Sequence, residues 1–280
     1  RLNGAMPTTF DQPKLMNVVQ MSITGAEVES VELPAYEKMT QFHFNNATVN
    51  SVDVSNVTGL TNLKMDYTTL SSIDVSKNTE LKSISLMGKA TAPGALTSID
   101  LSKNTKLESV YLSYNQLTEV KLASDSMVTV SVQNNKLTAL DLSNVKIIRD
   151  LYVSDNLLTS IDLSMLTGKS LTKPTINVQN NKLAELTVPV TVKTLQAQNN
   201  ELTSVSLVDV TNQLNLEGNK LTLATIPAQP ASMNTANKAK KFTYAPQAAL
   251  EVAETVSELD LTSQPTVVKG ELNPETVGEA

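Results

Sequence analysis

Cysteine is absent from the 280 residues, which excludes disulfides, thiolate metal sites and thiol nucleophiles. Histidine occurs once, as His43, so no metal site can rest on two imidazoles. Tryptophan is also absent. Charged residues make up only 18% of the chain against 40% apolar residues, the balance of a folded chain rather than a disordered one. No run approaches the ~18 uninterrupted apolar residues of a membrane-spanning helix. A Gly-x-Ser-x-Gly elbow, a phosphate-cradling glycine loop and a His-Glu-x-x-His helix are all missing. No enzymatic activity and no cofactor is therefore expected.

Basic charge is short where nucleic acid would need it. The net charge is −6, and residues 251–280 hold seven acids against the single base Lys269. That segment accounts for the whole imbalance, so the preceding residues are close to neutral. A neutral body lacks the basic stripe that phosphate recognition requires, and nucleic acid is not an expected partner.

What the chain does have is a repeat. Apolar residues recur ten times in the spacing apolar-x-x-apolar-x-apolar, with final members Ile23, Phe44, Met65, Leu86, Leu112, Val132, Val153, Val178, Ala197 and Leu216. The steps between these anchors are 21, 21, 21, 26, 20, 21, 25, 19 and 19 residues. In the last six copies the third residue after the anchor is asparagine: Asn115, Asn135, Asn156, Asn181, Asn200 and Asn219. A period near 20 residues cannot bury its own apolar face, so each copy must stack on its neighbours.

The fifth copy shows how one turn is built. Val110 and Leu112 are two apart and point inward from a strand, while Ser109, Tyr111 and Ser113 point outward. Leu117, Val120 and Leu122 bring the chain back along the opposite wall, facing the same interior. An acid often precedes the last residue of that wall, as at Asp53, Asp74, Asp100, Asp141 and Asp162, followed by Ser and often Asn; this reads as turn chemistry. The Asn column is expected to be structural, its inward carboxamides satisfying backbone groups at the bend. Ala26, Ala47, Thr68 and Lys89 hold that position in the first four copies, so the amino-terminal third is expected to be less rigid.

Two insertions break the period. One, around Lys89–Gly94, should protrude near a rim; the other lies in Leu166–Lys173. Both read first as tolerated bulges. After Leu221 the period fails, and Tyr244-Ala-Pro-Gln247 and the alternating Val256–Leu261 suggest cap strands or the start of a further β-domain. Only about 35 residues remain for that domain, too few to complete it. The expected division is a cap over 1–17, a coil over 18–226, and a cap or the opening of an Ig-like β-domain over 227–280.

The full motif, as in Leu137-Thr-Ala-Leu140-Asp-Leu142 and Leu151-Tyr-Val153-Ser-Asp-Asn156, resembles the leucine-rich-repeat superfamily over residues 16–226. The short period and Ser/Thr/Asn-rich turns most resemble repeats of bacterial surface and secreted proteins, internalin-like adhesins and Bacteroidetes cell-surface proteins among them. The resemblance implies a right-handed repeat solenoid with a parallel concave sheet of about ten strands. It also implies protein or ligand binding outside the cell or at its surface.

The outward positions of that sheet flank the last two apolar residues of each copy and include the residue before the Asn. Their formal charges are Lys64, Asp66, Asp150, Asp155 and Glu217; the rest are mostly Ser, Thr, Asn and Gln. Gln133, Gln179 and Gln198 form one row of amides and Asn134, Asn180 and Asn199 another. Such rows can bond a peptide or glycan, and they also wet an exposed sheet. His43 should sit between Ser22 and Lys64 with no carboxylate aligned to it, as a chance surface histidine.

Tyrosine is the sharper feature. Tyr111 and Tyr152 occupy equivalent positions two turns apart with Ser131 between them, and Tyr67 and Tyr114 do the same around Gly88. Strands ~4.8 Å apart would leave gaps of roughly 10 Å, suited to a sugar ring or an apolar side chain. Tyrosine is equally a good strand former. The candidate site is therefore Tyr67, Tyr111, Tyr114 and Tyr152 with Asp66, Ser131, Gln133, Asp150, Gln179 and Gln198. The expected function is an extracellular binding or adhesion module for a protein or peptide; the alternatives are a carbohydrate-binding surface protein and a passive spacer displaying another domain.

Overall fold

The computed structural model describes residues 2–3, 17–167, 172–233, 240–247, 266–268 and 271–273. Most of the cap expected over 1–17, the middle of the second insertion and the Val256–Leu261 stretch lie outside them. Each of the ten repeat copies contributes one strand to a single parallel sheet, from Gln20–Thr24 to Ser204–Asn215. Leu2–Asn3 and Lys241–Thr243 flank these ten, giving a twelve-stranded sheet.

The register is the repeat period made visible. Met21 aligns with Phe42, Phe42 with Leu63 and Leu63 with Ile84. Further along, Val130 aligns with Val110 and Leu151, Leu151 with Ile176, and Ile176 with Leu195. Each of these residues is buried, so inward side chains stack like on like through the coil. A slip of one residue would turn the whole set to solvent, which fixes the pairing. At about 1.5–3 kcal/mol for each fully buried aliphatic side chain, this shared column is the main source of cohesion.

The return wall is less regular. Parallel pairs form between Ser30–Glu32 and Ser51–Asp53 and between Ser98–Asp100 and Glu119–Lys121. In the two 19-residue turns, wall and front strand fuse into the 12-residue strands Glu185–Gln196 and Ser204–Asn215. The cause is local. In five of the other turns an Asp-x-Ser turn separates the two, whereas Thr187–Val192 keeps β-branched residues at nearly every position and continues as strand.

The expected turn chemistry is present at all five acids. Asp53, Asp74, Asp100, Asp141 and Asp162 each accept the backbone N–H of the serine two residues on at 2.8 Å. The Ser76 and Ser143 N–H groups, with the serine hydroxyls, hold the Asp74 and Asp141 carboxyls below the ordinary aspartate value. For Asp100 and Asp162 the Ser102 and Ser164 hydroxyls lead, with the N–H groups second.

The Asn column ties each turn to the one before it. Asn156 Nδ2 donates to Val132 O in the preceding turn and Val153 O in its own, at 3.0 and 3.1 Å. Its Oδ1 accepts the Leu137 N–H at 3.0 Å. Asn135, Asn181, Asn200 and Asn219 repeat the same set. The sheet does not stop with the last copy at residue 226. Phe242-x-Tyr244-x-x-Gln247 spells the same spacing, and Gln247 takes the asparagine's place, accepting from Leu221 N and donating to Leu216 O and Tyr244 O.

The amino-terminal turns are tied elsewhere. Thr68 makes one of the missing bonds, to Met65 O, while Thr69 Oγ1 both accepts from and donates to the Val49 backbone. The larger substitute lies on the far side. Asn78 Nδ2 donates to Val54 O and Val57 O, and Asn104 Nδ2 to Val75 O and Asn78 O, at 2.8–3.0 Å. Both asparagines are fully buried, a second column in positions read from sequence only as turns. Phe42 and Phe44 add stacked rings 6.1 Å apart to this part of the core.

Candidate binding face

The outer face of the large sheet is bounded by a ridge of left-handed residues. Two positions after the anchor, φ is 73° at Gly25, 51° at Asn46, 57° at Asn134 and Asp155, 54° at Asn180, 56° at Asn199 and 67° at Gly218. Glycine, asparagine and aspartate tolerate this conformation best, so the backbone itself accounts for the Asn134, Asn180 and Asn199 row. Tyr67 and Tyr114 occupy the same column at 61° and 60°. A bulky side chain there costs on the order of 1 kcal/mol or more, which backbone conformation does not explain.

The amide rows are partly spent on themselves. Asn180 donates to Asp155 Oδ1 at 2.7 Å, Asn199 to Asn180 Oδ1 at 2.8 Å, and the Gln198 amide to Gln179 Oε1. Ser154 falls between Gln133 and Gln179 in the sheet, so Gln133 stands apart from that pair. Gln179 Oε1 and the Gln198 amide nitrogen, expected to be free for a ligand, are thus engaged with each other.

Asp66 departs from expectation. It is 1% exposed rather than on the surface. Its Oδ1 accepts from the Ser85 hydroxyl at 2.6 Å and from Met87 N at 3.0 Å, and Lys64 Nζ lies 3.3 Å from Oδ2. The carboxylate acts as a bridge to the next turn, as Asn45 does when it accepts from Asp66 N. Ser113, expected to point outward, is likewise buried, its hydroxyl 2.8 Å from that of Ser131. His43 does pair with Ser22 and Lys64, and partial burial, then the Lys64 charge, pushes its pKa down.

The two tyrosine pairs fare differently. Ser131 aligns with both Tyr111 and Tyr152, so the three side chains form one row with the tyrosines two strands, or roughly 10 Å, apart. Both tyrosines are half-buried and Ser131 lies low between them. In contrast, the space where a Gly88 side chain would begin is taken by Tyr114 O and Gly94 N. The first insertion folds back there, with Gly94 N donating to Tyr114 O at 2.8 Å. The Tyr67–Tyr114 gap is therefore filled.

Beside the open slot sits a residue outside the sequence-based set. Arg149 donates to Asp150 Oδ2 at 2.7 Å and approaches Thr129 Oγ1 at 3.5 Å, and its side chain stays 50% exposed. Asp150 is thereby neutralised at one end of the slot. Burial, then the Asp150 charge, raises the Tyr152 pKa, so its phenol stays a neutral donor. Arg149 precedes Asp150 by one residue, just beyond the outward positions that flank the apolar pair; its place beside Tyr111 and Tyr152 was the signal available.

No protein-family model matches the sequence, and no curated protein matches it. Among solved structures, the functional domain of InlJ from Listeria monocytogenes, which includes a cysteine ladder, is 21% identical with a TM-score of 0.53. The match covers 77% of this chain and 58% of that one, so the chain spans little more than half of that domain's length. The leucine-rich repeat domain of APL1B is 18% identical with a TM-score of 0.42, over 74% of this chain and 79% of that one. The chain folds as a leucine-rich-repeat solenoid. It has no cysteine with which to build a cysteine ladder; asparagines stack in its bends instead. Among the described residues no helix is long and apolar enough to cross a membrane.

Proposed function

We propose that the chain is a surface-displayed or secreted bacterial adhesion module that binds a protein or peptide on the outer face of its large sheet. The row Tyr111–Ser131–Tyr152 carries this reading, because it offers two aromatic walls over a small floor. An apolar side chain of the partner enters between the rings. Tyrosine supplies large contact area at low cost in conformational entropy, which suits it to be the energetic centre of such an interface. Arg149 and Asp150 then meet polar groups of the partner at one end of the slot. Extended solenoid faces are well suited to binding segments of this kind.

A random peptide display library panned on the folded protein tests the reading. Peptides selected on the wild type should bind the Tyr111→Ala/Tyr152→Ala double variant roughly tenfold more weakly. The melting temperature should fall by no more than a few degrees, since both rings lie on the face rather than in the core. Unchanged affinity in a folded double variant would remove the slot as the binding centre.

A further inference from the structure

The first insertion builds a second concavity, away from the Tyr111–Tyr152 slot. It is a groove of about 330 Å³ between the loop Lys89–Ala95 and the bends of the second and third turns. That volume lies at the small end of ligand pockets, near the size of one sugar unit. Tyr67, Lys89, Asn46, Thr48 and Pro93 contribute the principal side chains. Lys89 is held there because its backbone bridges antiparallel to Ala92, which aims the side chain back over the groove.

Three observations decide what would fit. Lys89 Nζ sits 5.3 Å from the centre of the Tyr67 ring and forms no ion pair with any described carboxylate. It is the one ionised group lining the groove, so the site is complementary to an anion. Tyr67 is 39% exposed and held at a φ of 61°, a strained way to place a ring that adds nothing to the core. Most backbone donors at the groove are already used: Asn46, Thr48, Tyr67, Thr69 and Lys89 N–H groups all bond carbonyls of the chain. With these five donors spent, an added peptide strand has few N–H groups to pair with, so recognition falls chiefly to side chains.

We propose that this groove binds a carboxylated sugar, a uronic acid unit of a polysaccharide. The Lys89 ammonium pairs with the carboxylate, the Tyr67 ring supports the sugar's apolar face, and Asn46 and Thr48 bond its hydroxyls. In the free protein the unpaired ammonium rests on the tyrosine face, where it is attracted to the ring quadrupole.

Sodium D-glucuronate is the probe, followed by backbone amide NMR shifts of the whole chain, with D-glucose as the uncharged control. Glucuronate should move the amides of Asn46, Tyr67, Lys89 and Ala92 in a saturable way, and glucose should bind much more weakly. Lys89→Gln should lower glucuronate affinity roughly tenfold, the loss of one charge-assisted bond, without changing the melting temperature. The Tyr111→Ala/Tyr152→Ala variant should respond as the wild type does, which keeps this site's fate separate from that of the peptide slot. Equal binding of glucose, shifts confined to other regions, an undiminished response in Lys89→Gln, or tighter binding of an acetylated, amidated glutamate than of glucuronate would each overturn the proposal.

Discussion

The first four turns and the last six solve one problem in two places. Every bend leaves backbone groups that the sheet does not pair. In the carboxyl-terminal turns an asparagine three residues after each strand anchor satisfies them, as Asn156 and Asn181 do. In the amino-terminal turns Ala26, Ala47 and Thr68 stand there, and the buried cross-turn amides are Asn78 and Asn104 on the opposite wall. The changeover falls at the first insertion, where Gly94 packs against the Asn115 carboxamide. A solenoid needs inter-turn amides, but the wall that carries them can change along the same coil.

The comparison can be broken by removing one amide from each wall. Asn156→Ala deletes a buried group with several backbone partners and strands Leu137 N, and should cost roughly 3 kcal/mol in urea unfolding. Asn104→Ala should cost less, about 2 kcal/mol, because the Asn104 Oδ1 has no described partner to lose. A larger loss from Asn104 than from Asn156 would make the far wall the stronger seam.

A smaller change, of opposite sign, is expected at the ridge. Tyr114→Asn puts a residue suited to positive φ where Tyr114 sits at 60°, and should raise stability by about 1 kcal/mol. A fall would mean that the ring packs more usefully than its backbone conformation costs.

The smallest effect separates long turns from short ones. Asp74, Asp100, Asp141 and Asp162 have folded pKa values below the ordinary aspartate value. Their contribution is therefore present above that ordinary value and is lost as pH falls through the folded values. Amide protection, taken relative to the intrinsic exchange rate at each pH, should fall on acidification at Ser76, Ser102, Ser143 and Ser164 before it does in Glu185–Gln196, which has no such turn. All four carboxylates are exposed, so the change should be slight.

The coil and its inward faces were legible because they rest on spacing within one copy. The Asn column was legible for the same reason. Asp66 was not: its burial depends on Ser85 and Met87, one turn further on, and an acid just after an inward anchor looks the same in sequence whether covered or not. Asn78 and Asn104 were hidden by composition, since Ser-Lys-Asn reads as a solvated turn on either side of a wall. The left-handed ridge was open to view as Gly, Asn and Asp recurring two residues after the anchor, but the same side chains also describe a wetted surface. Gln247 escaped because 28 residues separate Tyr244 from the previous anchor, Leu216.

In both buried columns the cross-turn amides reach backward along the chain, from Asn78 to Val54 O and from Gln247 to Leu216 O. These columns consequently have a polarity: through them a turn is locked by its successor. Shortening the coil from the front leaves each survivor's bend still latched, whereas a cut anywhere behind opens the newly outermost one. An engineer lengthening the coil should therefore splice new units upstream of Phe242, leaving Gln247 as the clasp.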